Sequence, residues 1–544
     1  MGKTLHLLFL ILSVGMLNAQ ELLRGPYQQN ATTNSIKIMW RTSVPTEGWV
    51  KIGDTPDNLD RTFTGTSATD HNVLITDLTA YTKYYYAVGY GDVTLASGKD
   101  HYILTNKAYG DTTGLSVWVI GDAGKANIPQ VMARNAFVEY AKEKPVDFMI
   151  MLGDNAYQDG TDQEYQQKVF GRQYAYDSIF RYLHYYPTPG NHDYNILRAG
   201  SLLDYLDPTI DKGPYYDIHE MPKSGEAGGV PSGTEIYYSY DYGHVHFIVL
   251  NSETFTWTAN NASPMKNWLA KDLAANKLPW TVVYFHQPPF TSGSHSSDTG
   301  YEIMMGNMRK FIIPILEKAG VDLVLSGHSH VYERSFLLNG FYEKSWAFDP
   351  NIHALSITSG NPDLGETYVK EPGGKGTVYS VIGNSGSYTS FDNLPAKVHP
   401  AFYTRDAGDD VTGSIVLDIK GSTLTVEYIN RFGDILDKYA IFKQIEEIEI
   451  PTGTKNNFSD LYEMKVFPNP STDKLTLDFY NPSLSKARVI ITDLSGKQVL
   501  SQESTANGRA TLEVSGWKQL PSGSYVVSLN IDNRVGSVNV VKVQ

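Results

Sequence analysis

Five short motifs carry residues able to hold metals or move protons. They are Gly121-Asp122-Ala123-Gly124, Gly153-Asp154-Asn155-Ala156-Tyr157, Gly190-Asn191-His192-Asp193, Tyr284-Phe285-His286-Gln287 and Gly327-His328-Ser329-His330. The 544 residues include no cysteine, so a metal site here must use histidine and oxygen ligands. Nine of the 14 histidines lie between residues 180 and 340. The ligand types divide into two sets. Asp122, Tyr157 and one histidine make a hard, anionic set suited to a highly charged cation such as Fe(III). Asn191, His286 and another histidine make a neutral set suited to Zn, Fe(II) or Mn. Asp154, three residues before Tyr157, is the natural bridging carboxylate. Two metals held close together can clamp a phosphate, polarise it and activate water. His192, beside a ligand, and His295, in the loop after His286, are candidates to contact phosphate or protonate a leaving group.

Each piece alone has a plainer reading. An aspartate after a strand is a common helix N-cap, and Gly-Asn marks turns. A tyrosine among 37, or a lone histidine, is more often packing. Gly243-His244-Val245-His246 tests the histidine pair, because it also reads Gly-His-x-His. It opens an alternating strand, so we assign that pair a structural role. Gly327-His328-Ser329-His330 instead follows the apolar run Val321 to Leu325, where a ligand-bearing loop belongs.

The elements that must position these motifs alternate in type. Ser116 to Ile120 and Val146 to Leu152 read as apolar strands, with a helix from Pro129 to Lys144 between them. Thr281 to Phe285, a helix over 304–319 and Val321 to Leu325 repeat the pattern. Such alternation predicts a mostly parallel sheet covered on both faces, with ligands gathered at the carboxyl ends of its strands. Residues 160–185 read as a helical insertion and 223–233 as a mobile loop. Residues 376–445 return to strands and complete an α/β catalytic domain spanning 114–445. Before it, 22–107 reads as a β-sandwich. After it come a linker, 446–463, and a small β module, 464–544.

Composition narrows the function. The formal charge of −14 disfavours a nucleic-acid partner, which would need a basic footprint. Lys3, the apolar run Leu5 to Leu17 and Ala19 match a signal peptide over 1–19, and no later run reaches the length of a membrane span. Export is therefore expected, and without cysteine a lipid-modified N-terminus is excluded.

The five motifs resemble the dimetal metallophosphoesterases, and most closely the purple acid phosphatases. The first motif lacks the usual Asp-x-His histidine, and Tyr157 in Gly-Asp-x-x-Tyr replaces it, which is the purple acid phosphatase pattern. The resemblance covers roughly 22–445. It implies a calcineurin-like β-sandwich with flanking helices, preceded by a fibronectin-III-like module. It implies Fe(III) on Asp122, Asp154, Tyr157 and His330, with the divalent metal (Zn, Fe or Mn) on Asp154, Asn191, His286 and His328. Asn191, His192 and His295 would bind substrate, and Gly383-Asn384-Ser385-Gly386 would close the domain. Separately, Val466 to Pro470, Asp493 to Lys497, Leu520 to Tyr525 and the strand ending at Val543 resemble a type IX secretion sorting domain. The implied protein is a secreted or cell-surface acid phosphatase acting on phosphate monoesters by attack of a metal-activated hydroxide, exported by the type IX machinery. Diester or nucleotide hydrolysis on the same centre, and a non-catalytic adhesive role for the β modules, are the alternatives.

Overall fold

A computed structural model describes residues 20–194, 212–253, 263–371, 374–445, 464–481, 486–493, 497–505, 508–531 and 534–543. The expected signal segment and linker lie outside these residues.

The first β module is dominated by one long strand, Ile36–Gly53. Its alternation buries Ile36, Ile38 and Trp40, and Trp40 stacks on His71 with ring centres 4.4 Å apart. Leu22–Gln29, Arg61–Ile75 and Lys83–Tyr90 pair with that strand, and Val93–Ala96 and Tyr102–Leu104 pair with Lys83–Tyr90. The module leans on the next domain through buried Arg24, which pairs with Asp162 at 2.9 Å and lies over the Phe170 ring.

The domain expected over 114–445 corrects the expectation of a mostly parallel sheet. Its parallel strands are shared between two mixed sheets of seven strands each. In one, Leu115–Ile120, Phe148–Met151 and Tyr185–Pro187 run parallel. Antiparallel Gly413–Lys420, Thr423–Asn430 and Ile435–Lys443 extend it. In the other, Val245–Val249, Trp280–Tyr284, Leu323–Ser326 and Val378–Ile382 run parallel, flanked by antiparallel Tyr238–Tyr242 and Tyr332–Ser335. The reason is connection length: the returns at 242–245, 420–423 and 430–435 are too short for a parallel crossover. Side chains of the two sheets pack together. Tyr186 stacks on Tyr240 at 3.8 Å, and Phe148 meets Phe247 edge-on at 5.4 Å. This is the two-sheet sandwich with flanking helices that the resemblance implied.

Helix Ile128–Glu143 begins where Asn127 caps the Gln130 amide at 3.0 Å and ends just before Pro145. Its Phe137 stacks on Trp118 at 3.8 Å and fixes the helix to the sheet. The single helix predicted over 304–319 is interrupted. Ile303–Asn307 and Ile313–Lys318 flank a wider turn, Met308–Ile312, where Pro314 supplies no backbone donor. The 160–185 insertion contains short helices Asp162–Lys168 and Asp177–Phe180. The 223–233 segment is tied down: Trp268 Nε1 donates to the Val230 carbonyl at 2.8 Å, and Lys223 pairs with Glu235 at 2.9 Å.

The chain divides into two units, Met1–Ile448 and Glu449–Gln544. In the second, Lys465–Phe467, Thr476–Asn481 and Gly508–Glu513 form one sheet, and Gln498–Ser504, Ala487–Asp493, Gly523–Ile531 and Arg534–Lys542 another. Leu477, Phe479, Ile491, Trp517 and Leu529 fill its core. Among the described residues no helix is long and apolar enough to cross a membrane.

Candidate metal centre

Every motif follows a strand. Asp122 comes after Leu115–Ile120, Asp154 after Phe148–Met151, Asn191 after Tyr185–Pro187, His286 after Trp280–Tyr284 and His328 after Leu323–Ser326. The loops are stitched by backbone bonds. The Asp122 amide donates to the Gly153 carbonyl at 3.1 Å, Tyr157 to Gly124 at 3.0 Å and Gly327 to His286 at 2.9 Å. The Gly383-to-Gly386 loop joins them, with the Ser385 amide donating to Gly121 at 3.1 Å. Crowding explains two of the glycines. A Cβ at Gly190 would sit 2.3 Å from Asp154 Oδ1, and one at Gly327 would sit 2.4 Å from Asp122 Oδ2.

Asp122, Asp154 and His328 adopt positive φ (54°, 52° and 65°), which non-glycine residues rarely do. Backbone held in such a region by its surroundings points to a functional constraint.

Two groups of side chains converge. In the first, the Tyr157 hydroxyl donates to Asp122 Oδ1 at 3.0 Å and lies 3.1 Å from His330 Nε2, which is itself 3.5 Å from Asp122 Oδ1. In the second, His286 Nε2 lies 3.3 Å from Asp154 Oδ1 and 3.2 Å from His328 Nδ1. The His286 Nδ1–H is taken by the Leu152 carbonyl at 2.8 Å, which leaves Nε2 as the ligating atom. Asn191 is in the short turn Asn191–Tyr194, and its Oδ1 is buried with no hydrogen-bond partner. Buried polar atoms left unsatisfied call for an ion or ligand. Together this orphan oxygen, the carboxylates of Asp122 and Asp154, the Tyr157 hydroxyl and the imidazoles, with His328 presenting Nδ1, fit a dinuclear centre.

The electrostatics agree. Burial would raise the Asp154 carboxyl, but His286, His192 and His328 together hold it well below the carboxylate range. Burial, then the Asp122 and Asp154 charges, push the Tyr157 phenol far up, so without a cation it keeps its proton. Burial lowers His328 to about 4.

His192 and His295 border the cluster. The Gln158 carbonyl accepts from His192 Nδ1 at 2.7 Å, turning Nε2 toward Asp154 Oδ2 at 3.9 Å. His295 packs on His328 with the rings tilted by 35° and their centres 4.0 Å apart, and its Nδ1 meets Glu302 Oε1 at 2.8 Å.

Sequence reasoning missed Glu302 and the role of Asp193. Glu302 also reaches toward His328 Nε2, at 3.8 Å. No motif marks it, because it lies in the glycine- and serine-rich loop after His286. Buried Asp193 accepts from the Gly190 amide at 2.8 Å, Asn155 Nδ2 at 3.0 Å and the Tyr165 hydroxyl at 2.6 Å, pinning two ligand loops together. Burial, then the Asp154 charge, raise it to about 7. The control pair lies elsewhere: His246 is clamped between Asp241 and Asp272 at 2.7 and 2.8 Å, and His244 Nδ1 meets the Asp111 carbonyl at 2.9 Å.

Comparison with known proteins follows the same divisions. Residues 115–332 match the calcineurin-like phosphoesterase family, 27–101 the purple acid phosphatase N-terminal domain, and 465–543 the secretion system C-terminal sorting domain. Purple acid phosphatase 1 of Ipomoea batatas is 29% identical over 280 residues, covering 50% of this chain and 52% of that protein. Fe(3+)-Zn(2+) purple acid phosphatase 12 of Arabidopsis thaliana is 26% identical, covering 57% and 63%. A phosphoenolpyruvate phosphatase of Allium cepa is 24% identical, covering 67% and 68%. The chain thus spans about half to two thirds of the length of these relatives. Among solved structures, a purple acid phosphatase from yellow lupin (Lupinus luteus) seeds aligns with TM-score 0.57 at 18% identity, covering 78% of this chain and 76% of that one. That likeness establishes the shared fold.

Proposed function

We propose that this chain, a purple acid phosphatase-like metallophosphoesterase with a C-terminal secretion sorting domain, hydrolyses phosphate monoesters at a dinuclear metal centre. The observation that carries the proposal is the meeting of Tyr157, Asp122 and His330 within 3.5 Å of one another, beside the Asp154, His286 and His328 group. Asp122, Asp154, Tyr157 and His330 would hold Fe(III), and Asp154, Asn191, His286 and His328 a divalent ion such as Zn, Fe or Mn. When bound, such a pair supplies Lewis-acid polarisation of the phosphate and a nucleophilic water at neutral pH.

The chain's own groups do the rest. His192, with its Nδ1–H held by Gln158, presents Nε2 to a phosphate oxygen. The Asn191 side chain orients the same phosphate. The Glu302 carboxylate accepts from His295 Nδ1 and orients the ring, so that an Nε2–H can give its proton to the departing alkoxide. The products are the free alcohol and inorganic phosphate.

Export through the type IX machinery, with the sorting module as the address, is part of the same proposal and is supported by the match over 465–543. The adhesive alternative loses its sugar platform. Trp517 and Tyr525, the aromatics that would form it, are buried in the module's core at 1% and 6% exposure.

The test is phosphate release from p-nitrophenyl phosphate by purified protein of known metal content. Turnover that depends on both metals supports the proposal. Protein with two metals per chain and no turnover on mono- or diesters overturns it.

A further inference from the structure

The loop that carries Asp122 also carries a cation to Tyr157. Lys125 stands between the strand Leu115–Ile120 and the helix Ile128–Glu143. Its Nζ lies 3.2 Å from the centre of the Tyr157 ring. Among the described residues no carboxylate comes within 4.0 Å of that Nζ. The ammonium therefore rests on the phenol ring, while the Asp122 and Asp154 charges attract it from farther off.

The backbone holds this arrangement. The Lys125 and Ala126 amides both donate to Oε1 of the fully buried Gln130, at 3.2 and 2.7 Å. The Lys125 amide also lies 2.8 Å from the Ala123 carbonyl. One residue earlier, the Gly124 carbonyl accepts from the Tyr157 amide at 3.0 Å. The chain bearing the ammonium and the chain bearing the ring are thus tied together next to the side chains that meet. Tyr157 is buried and Lys125 only partly so.

A cation on an aromatic face acts on the π electrons of the ring. Those are the electrons that a phenolate shares with Fe(III). Resting on the reading of Tyr157 as an iron ligand, we infer that Lys125 tunes that bond: its charge stabilises the π electrons of Tyr157 and weakens their donation to the iron. An iron bound through the hydroxyl lies beyond the rim of the ring, so Nζ is nearer the electron donor than the acceptor, and Coulomb energy falls with distance. The donor level is lowered more than the acceptor level. The charge-transfer band then lies at shorter wavelength than Tyr157 alone would give. A positive charge beside the centre also favours the lower oxidation state, so the iron is easier to reduce. Lys125 acts through Tyr157, as groups around a metal's ligands do, and is not itself a ligand.

The experiment records the visible spectrum and a potentiometric titration of the full, metal-loaded protein and its Lys125→Met, Lys125→Gln and Lys125→Arg variants. Metal content is measured on the same samples. Methionine keeps an unbranched stem and removes the charge, whereas arginine keeps the charge and stacks on aromatic faces. K125M and K125Q should move the band to longer wavelength, and their colour should bleach at a more negative potential. K125R should stay close to the wild type in both. Iron and the second metal should remain at wild-type levels throughout. If Lys125 only fills space beside the ring, K125M leaves band and potential in place, and that result overturns the inference. Equal displacement in K125M and K125R, or loss of iron from K125M, overturns it as well. A wild-type protein that holds iron and a second metal without a visible band overturns the reading of Tyr157 on which the inference rests, whatever the variants do.

Discussion

The Tyr157 hydroxyl lies 3.1 Å from His330 Nε2, although 173 residues separate them in the chain. One belongs to the loop after a strand of the first sheet, and the other to the loop after a strand of the second. The two-sheet sandwich therefore builds the centre across its own seam. Neither sheet alone carries all of the candidate ligands.

Metal removal should loosen this seam. Without a cation, Asp122 and Asp154 are buried carboxylates, and a metal present at about 100 times its dissociation constant adds about 2.7 kcal/mol of stability. Dialysis against a chelator should lower the first unit's unfolding temperature by about 3–8 °C, read by calorimetry. In Asp154→Ala the chelator should make no difference.

Substitution of His295 by alanine should reduce kcat about 10²–10⁴-fold, the usual loss for a proton-transfer group, whereas His192→Ala removes a phosphate contact and should lower kcat/KM. Metal content, measured on the same samples, should stay at the wild-type level. Loss of metal in either variant would make that histidine a ligand instead.

His246 predicts a pH dependence away from the centre. Burial opposes its charge, but hydrogen bonds that it donates to the Asp241 and Asp272 carboxylates raise it from 6.5 to about 10. A raised folded value means the contribution is fully present below pH ~6.5 and is lost as pH rises toward ~10. The upper bound is roughly 5 kcal/mol across that window. His246→Gln should remove this alkaline slope in denaturant titrations and leave metal content unchanged. A variant that keeps the slope would show that the stabilisation lies elsewhere.

The second unit should melt on its own terms. Trp517 is 1% exposed, donates to Ser471 Oγ at 2.9 Å and meets Tyr525 with ring centres 5.5 Å apart. Trp517→Ala should cost about 3–5 kcal/mol in that unit. Phosphatase activity should not change. A parallel fall in activity would mean that the units are energetically coupled.

The site was more legible in the sequence than the sheets that carry it. Asp122, Asp154, His286 and His328 each follow an apolar run, and strand ends are where ligands gather, so local pattern sufficed to place them. Pairing between strands is not local. Nothing in the run Val378–Ile382 says that it will lie parallel to Leu323–Ser326 and antiparallel to Tyr332–Ser335. The strand–helix alternation therefore suggested one parallel sheet where two mixed ones form. Glu302 escaped notice because its role depends on a loop folding back onto His295. Asp193 stood inside a recognised motif, but only the structure shows it accepting from three separate segments.

The visible absorption spectrum, taken with metal content on the same samples of wild-type and Tyr157→Phe protein, tests the centre most directly. Tyr157 on Fe(III) predicts a coloured wild-type protein whose charge-transfer band disappears in the variant. A wild-type protein that holds iron and a second metal yet shows no visible band, or a variant that keeps the band, contradicts the assignment of Tyr157 as an iron ligand.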